Sequence, residues 1–189
     1  MDPLSGVFAA FGLAASAGLN AYIPMLVLAL VARFTDLITL TPPWDAISSW
    51  WVIGILVVLS VVEFFADKIP AVNHANDVIQ TFVRPVAGAI AFAASANVIT
   101  DVSPILSVVA GIFIAGSVHA AKSAVVRPAV TATTGGIGNV PVSMAEDVTA
   151  LVISVLAFVV PVLIASILIV VTAYIVWILW RRANAQKAL

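Results

Sequence analysis

The chain has 189 residues, of which 63% are hydrophobic and 9% charged, and its mean hydropathy of +1.20 excludes an ordinary soluble domain, which carries roughly 25% charged residues. The length allows about five or six membrane spans with short connections, so we expect one integral membrane domain over residues 1–189. A formal net charge of -1, with no basic stripe, predicts no nucleic-acid binding.

The first apolar stretch runs from about Gly6 to Val31 and ends at Arg33, and Pro24 inside it predicts a kink. Its N-terminal flank lacks the basic residues of a cleavable signal peptide, so we expect the stretch to stay in the mature protein. A polar connection follows, and the second span is predicted from about Trp50 to Ala66.

A short amphipathic helix is predicted after the second span. Its apolar residues recur at helical spacing, and its polar residues take the opposite side: Val72, Ala75, Ile79 and Phe82 against Asn73, Asn76, Asp77 and Gln80. This pattern is typical of a helix that lies at the membrane interface. The third span then opens at Arg84-Pro85 and runs to about Val98.

The fourth span is predicted to follow Asp101-Val102-Ser103-Pro104 and to stop at Arg127-Pro128. A Gly-rich connector, Thr131 to Pro141, precedes the fifth segment. Ser143-Met144-Ala145-Glu146 has the form of a capping box, which predicts a helix start near Met144.

Residues 144–180 are too long for one crossing, since a helix of that length measures about 55 Å and the hydrocarbon layer about 30 Å. Residues 148–180 contain no Asp, Glu, Lys, Arg or His, and Arg181-Arg182 follow directly. Two arrangements remain open: one broken segment, or a helical hairpin at Pro161.

The positive-inside rule favours six crossings with both termini in the cytoplasm. Arg33 is then the one basic residue outside, and the cytoplasmic side receives Lys68, Arg84, Arg127, Arg181, Arg182 and Lys187. Five crossings, the alternative, would place Lys68, Arg84 and Arg127 outside. We therefore predict an all-α, multi-pass helical bundle in the plasma (inner) membrane.

Polar groups inside apolar segments indicate the candidate site, because an ionisable side chain at the centre of a span costs roughly 2.5–3.5 kcal/mol. Glu63 and Asp67 lie one helical turn apart, and His119 and Lys122 share a face. The candidate pathway residues are Asn20, Tyr22, Glu63, Asp67, Lys68, Arg84, His119, Lys122, Arg127, Glu146 and Asp147. We expect the acids and bases to pair around a polar chamber near the break at Asn20 to Pro24.

Simpler interpretations stand beside this hypothesis. Lys and Arg at span ends commonly reach the headgroups, and Glu146 is explained by the capping box. His74, Asp77 and Asp67 could hold a metal, but a solvated polar face is favoured, so no metal is expected. The Gly-rich connector lacks the lysine and spacing of a Walker loop and is interpreted as a turn.

Small residues at steps of four, Gly12-Ser16-Asn20 and Ala87-Ala91-Ser95, predict close helix contacts within the bundle, and a homodimer through these faces is the alternative. Membrane lipids are the expected partners. The chain has no cysteine, metalloprotease helix motif or nucleophile elbow, so we expect no catalytic residue, no cofactor and no enzymatic activity.

Four segments together resemble a family of small bacterial multi-spanning membrane proteins known as domain of unknown function 4126: Gly18 to Pro24, Glu63 to Pro70, Arg84 to Gly88, and Ser143 to Asp147. The resemblance covers nearly the whole chain and implies a membrane location without an activity. The family pattern favours acidic and aromatic residues where this chain has Asn73 and Asn76, which weakens a metal or proton role there.

Two functions follow from the residues. The leading hypothesis is a transporter or channel-like protein for an ion or small polar solute, with proton coupling through Glu63 and Asp67 as one form of it. The alternative is a structural or lipid-binding membrane subunit, whose charges fix the bundle and meet the headgroups.

Overall fold

The computed structural model describes residues 3–96 and 103–186, and this part of the chain is almost entirely helical. Three residues named in the sequence analysis lie outside the described part: Asp101 and Val102 of the predicted turn, and Lys187 near the C-terminus. In chain order the elements are α1 (Pro3–Leu19), α2 (Tyr22–Phe34), a 3₁₀ turn (Trp44–Ser48), α3 (Trp50–Ala66), α4 (Pro70–Ala96), α5 (Pro104–Ala121), a π turn (Lys122–Val126), α6 (Arg127–Thr134), α7 (Asn139–Val159) and α8 (Pro161–Gln186).

Within the described part, three helical stretches are long and apolar enough to cross a membrane: Ala75–Ala96, Pro104–Thr134 and Asn139–Val159. Shorter apolar helices accompany them at Gly6–Leu19, Tyr22–Phe34, Trp50–Ala66 and Ile169–Ile178. The helical, apolar character predicted from composition is thus confirmed.

The first apolar stretch is divided at Asn20 and Ala21, not kinked at Pro24. The Asn20 side-chain oxygen accepts from the backbone N–H groups of Tyr22 and Ile23 at 3.1 and 3.0 Å, and so caps the start of α2. Pro24 lies in the first turn of α2, where its missing N–H needs no helical partner. The stretch is therefore two helices, α1 and α2, instead of one helix kinked at Pro24, and α2 packs against α1, α4 and α7.

The predicted interfacial helix is part of α4, which runs without a break from Pro70 through Pro85 to Ala96. The predicted exposure of its polar face to water is wrong. Gln80 is buried and Asn76 half-buried, whereas Ile79 and Phe82 are exposed. The polar face points inward, where Asn76 donates to the Asp67 carboxylate. The apolar face is on the outside of the bundle.

Arg127-Pro128 does not end the fourth predicted span. The helix widens into the π turn and continues as α6 to Thr134, because a proline at the start of a helical turn removes an N–H whose absence is tolerated there. Gly135, with a φ of +62°, then ends α6 in the left-handed conformation that glycine adopts without strain. The Gly-rich connector is therefore reduced to residues 135–138.

Helix α7 begins at Asn139, so the predicted capping box at Ser143 is wrong. Ser143 and Glu146 lie inside the helix, and their side chains bond to Asp67 and Arg127 of other elements.

The predicted break at Pro161 is present as an interruption between two helices. Helix α7 ends at Val159, and α8 starts at Pro161. Ser16, in the second half of α1, bonds to Ser154 of α7. Ile169 and Val176 of α8 line a cavity with Phe8 and Ala15 of α1, so α8 lies beside α1. A break at Pro161 is common to the two arrangements left open by the sequence, and the structure confirms that break.

Helix α1 lies at the centre of the bundle and contacts α2, α4, α5, α7 and α8. The small-residue faces serve contacts within one chain, as predicted: Ser16 donates to the Ala150 carbonyl at 2.7 Å, and Ala87, Ala91 and Ser95 are buried.

Candidate functional site

Predicted polar residues of four helices, of the π turn and of the turn after α3 meet in one cluster, most of which is buried. It contains four acidic and four basic side chains joined by ion pairs: Glu63, Asp67, Glu146 and Asp147 with Lys68, Arg84, Lys122 and Arg127. We call these eight residues the charged cluster. Its formal charges balance, which satisfies the requirement that buried charges be paired.

Arg84 and Glu63 form the deepest pair, and neither side chain is exposed. The Arg84 Nη2 donates to Glu63 Oε1 at 3.0 Å, and its Nη1 donates to His119 Nδ1 at 3.2 Å. Since a guanidinium only donates, His119 accepts at Nδ1, and Nε2 is left to donate to the Thr81 hydroxyl at 3.1 Å. The predicted His119 is therefore part of the site, oriented by Arg84 and Thr81.

Glu146 is shared by two cations. Lys122 Nζ and Arg127 Nη2 each lie 2.9 Å from its Oε2. Lys122 and Arg127 are five residues apart, a spacing that would separate them around an α-helix. The π turn brings them together: the Arg127 N–H donates to the Lys122 carbonyl, an i to i+5 bond that closes the wider turn.

Asp67 links the two arginines. Its Oδ1 accepts from Asn76 at 2.7 Å, and its Oδ2 accepts from Ser143 at 3.3 Å. Arg84 and Arg127 approach the same Oδ2 at 3.8 and 3.7 Å, too far for direct hydrogen bonds but close enough for electrostatic attraction. Asp67 is thus held in place by neutral donors and lies between two positive charges.

Asp147 connects the cluster to the helix break. Its Oδ1 accepts from Asn20 Nδ2 at 3.0 Å, and its Oδ2 pairs with Lys68 at 3.1 Å. The Lys68 ammonium also donates to the Phe64 carbonyl at 2.9 Å and lies 3.3 Å from the centre of the Phe64 ring. Asn20 therefore caps α2 and positions Asp147 at the same time.

Tyr22 stands at the margin of the site. It is half-buried, and its hydroxyl interacts with Gln80. A cavity of about 410 Å³ adjoins the cluster and is bordered by Asn20, Asp147 and the apolar residues Ile23, Val61, Phe64 and Phe65, with Ser60. The predicted polar chamber is instead a packed ionic network with this mainly apolar cavity at its side.

Several buried polar atoms in the cluster have no partner among the described residues: Glu63 Oε2, Arg84 Nε, and Arg127 Nε and Nη1. Gln80 Oε1 and Ser60 Oγ, close to the cluster, share this property. An unpaired buried polar atom costs about 1–3 kcal/mol, so these atoms indicate positions for water or a bound solute.

Three supporting residues were missed as site residues by sequence reasoning: Asn76, Thr81 and Ser143. Asn76 belongs to the face of α4 that the sequence predicts to be solvated, Thr81 lies outside the polar face predicted there, and Ser143 is predicted to cap a helix. The spacing of Asn76, Gln80 and Arg84 at steps of four was the signal that this face continues into the third span.

The family model described as "Domain of unknown function (DUF4126)" matches residues 7–181. The chain belongs to this family. The match covers every residue of the charged cluster and confirms the resemblance noted in the sequence. No curated protein and no solved structure matches the chain.

Proposed function

We propose that this protein is a small integral membrane transporter or channel-like protein that moves an ion or small polar solute along the charged cluster. The observation that carries the proposal is the position of the eight charged side chains, which meet at the break between α1 and α2 and of which all but the half-buried Lys68 are buried. Broken helices whose backbone groups meet charged side chains are a recurrent way in which transporters bind ions and solutes.

The proposed topology has six membrane segments in the plasma membrane: the pair α1–α2, then α3, α4, α5–α6, α7 and α8. Both termini are cytoplasmic in this topology. Arg181-Arg182, near the end of α8, support the cytoplasmic position of the C-terminus, because basic residues favour that side of the membrane. Arg84 and Arg127 are buried inside helices, so they no longer count as loop charges. The orientation then rests on Arg33, Lys68 and the C-terminal arginines.

The absence of cysteine from the sequence allows a direct test of this topology. A single cysteine is added before Met1 or, in a second variant, after Leu189, and intact cells are treated with a membrane-impermeant maleimide. Both cysteines should react only after permeabilisation. Labelling of the N-terminal cysteine from outside would show instead that α1 and α2 enter and leave on the same side.

Flux through the cluster is tested in proteoliposomes with entrapped pyranine for protons and with radioactive sodium and rubidium for alkali cations. We expect Asp67→Asn and Lys122→Met to abolish flux while the variants still elute as folded protein. Asp36→Asn, which removes an exposed acid outside the cluster, is the matched control and should retain flux. Unchanged flux in both cluster variants would remove the site assignment.

A structural or lipid-binding subunit is the second candidate, favoured by the observation that each acid of the cluster already has a basic partner. A mainly apolar cavity of about 490 Å³ between α1, α5 and α8 also has the character of an acyl-chain site. This function predicts that Asp67→Asn and Lys122→Met lower thermal stability or lipid retention, with no flux in the unmodified protein. Neither candidate is catalytic.

A further inference from the structure

The end of α1 holds the ammonium group of Lys122. Helix α1 stops at Leu19, so the Leu19 carbonyl lacks the partner that a continuing helix would provide. Lys122 Nζ donates to this carbonyl at 3.1 Å and pairs with Glu146 Oε2 at 2.9 Å. Lys122 is 4% exposed. A buried positive charge is thus held between a helix end and a carboxylate.

These ligands are ones that a free cation would use. The C-terminal end of a helix carries partial negative charge, and carbonyl oxygens at unwound helices coordinate small monovalent cations in transporters. Elsewhere in the charged cluster, Glu63 Oε2 has no partner among the described residues, so the cluster holds a carboxylate oxygen that no hydrogen bond occupies. Lys122 therefore occupies the position of a monovalent cation.

Pairing of Glu146 does not by itself require Lys122. Arg127 donates to the same Oε2 at 2.9 Å, and its Nε and Nη1 have no partner in the described part of the chain. If the Lys122 ammonium withdrew, Arg127 would still neutralise Glu146. Lys122 also begins the π turn, a feature that frequently marks functional sites.

We propose that the α1 end is a binding site for a small monovalent cation, in which the Lys122 ammonium and a free cation alternate. The site is formed by the Leu19 carbonyl and the Glu146 carboxylate, the two groups that now hold the Lys122 ammonium. This inference rests on the proposed transport function and names its cargo class: sodium, potassium or ammonium. Lys122 acts as the cation of the protein itself when no free cation is bound.

The test removes the Lys122 charge and offers cations in its place. Purified Lys122→Met is heated in detergent with sodium, potassium or ammonium chloride, and N-methyl-D-glucamine chloride at equal ionic strength is the reference. At least one small cation should raise the unfolding temperature in a saturable manner. The unmodified protein should need at least about tenfold more of that cation, because Lys122 competes for the site.

Two further variants define the site. Lys122→Met/Glu146→Gln should lose the response, because a carboxylate ligand is gone. Lys68→Met, which removes the other lysine of the cluster, should not acquire it. If Lys122→Met does not fold, Lys122→Gln, which keeps a donor for the Leu19 carbonyl, is heated in the same salts with the same expectation. A response equal in all variants, or none in any Lys122 variant, would overturn the cation site.

The binding measurement tests the cation site and the flux measurement tests transport, so either proposal can be rejected while the other stands. A saturable response of Lys122→Met together with no flux in the unmodified protein would keep the cation site and reject transport. Flux in the unmodified protein without any cation response in the Lys122 variants would keep transport and reject this site.

Discussion

The pair formed by Arg84 and Glu63 gives the sharpest prediction for stability. The two side chains are joined at 3.0 Å and are wholly buried, so Arg84→Met would leave Glu63 without its positive partner. Removing one member of a buried ion pair costs about 3–5 kcal/mol, because the remaining charge cannot be solvated. We expect a loss of this size in the free energy of unfolding, measured by reversible SDS titration in mixed micelles.

The double variant Glu63→Gln/Arg84→Met completes the test. It removes both charges, so it should recover most of the stability lost in Arg84→Met. Arg33→Met is the matched control: Arg33 is exposed and donates to the Ser48 carbonyl, so its loss should cost less than about 1 kcal/mol. A loss below about 1 kcal/mol in Arg84→Met as well, or additive losses in the double variant, would refute the argument from burial.

Two other predictions concern packing and capping, both measured by the same titration. Gly111→Ala should destabilise by about 1–3 kcal/mol, since its methyl group would meet the Gly88 carbonyl and, at 2.6 Å, the Ala89 Cα. Gly54→Ala, whose methyl group would meet nothing within 4 Å, should keep stability unchanged or raise it by up to about 1 kcal/mol, because alanine suits a helix interior better than glycine does. Equal losses in the two variants would contradict the close contact of α4 and α5. Asn20→Ala should cost about 0.5–2 kcal/mol through the lost cap alone, and more through its bond to Asp147. Ser49→Ala should cost less, because its hydroxyl accepts from Val52 alone at 3.4 Å; the reverse order would argue against a special role for Asn20.

Sequence reasoning predicted the helical class, the extent of α3 and the residues of the charged cluster. It could do so because charged side chains are expensive in an apolar bundle and must find one another. Glu63 and Asp67, one turn apart, already defined an inward face of α3. The partner of each acid could not be predicted, since pairing depends on the rotation and depth of helices far apart in the chain.

The errors in helix boundaries arose where tertiary contacts override local signals. Pro85 predicts a helix start and Pro128 a helix stop. Pro85 instead lies inside α4, and Pro128 is the second residue of α6, which continues directly from the π turn. Ser143 matched a local capping pattern, although its hydroxyl is used by Asp67. The polar face of α4 was assigned to water because a sequence does not reveal whether polar residues meet solvent or a buried ionic network.

The π turn at Lys122–Val126 lets this segment carry one residue more than an ordinary helix without losing its alignment. Deletion of a single residue there would restore an α-helix and leave Lys122 and Arg127 four residues apart, a spacing at which both side chains lie on one face. Both could then still reach Glu146. A relative that lacks one residue at this point would keep the network, whereas the same five residues wound as an ordinary α-helix would turn Arg127 roughly 140° away from Lys122 around the helix axis.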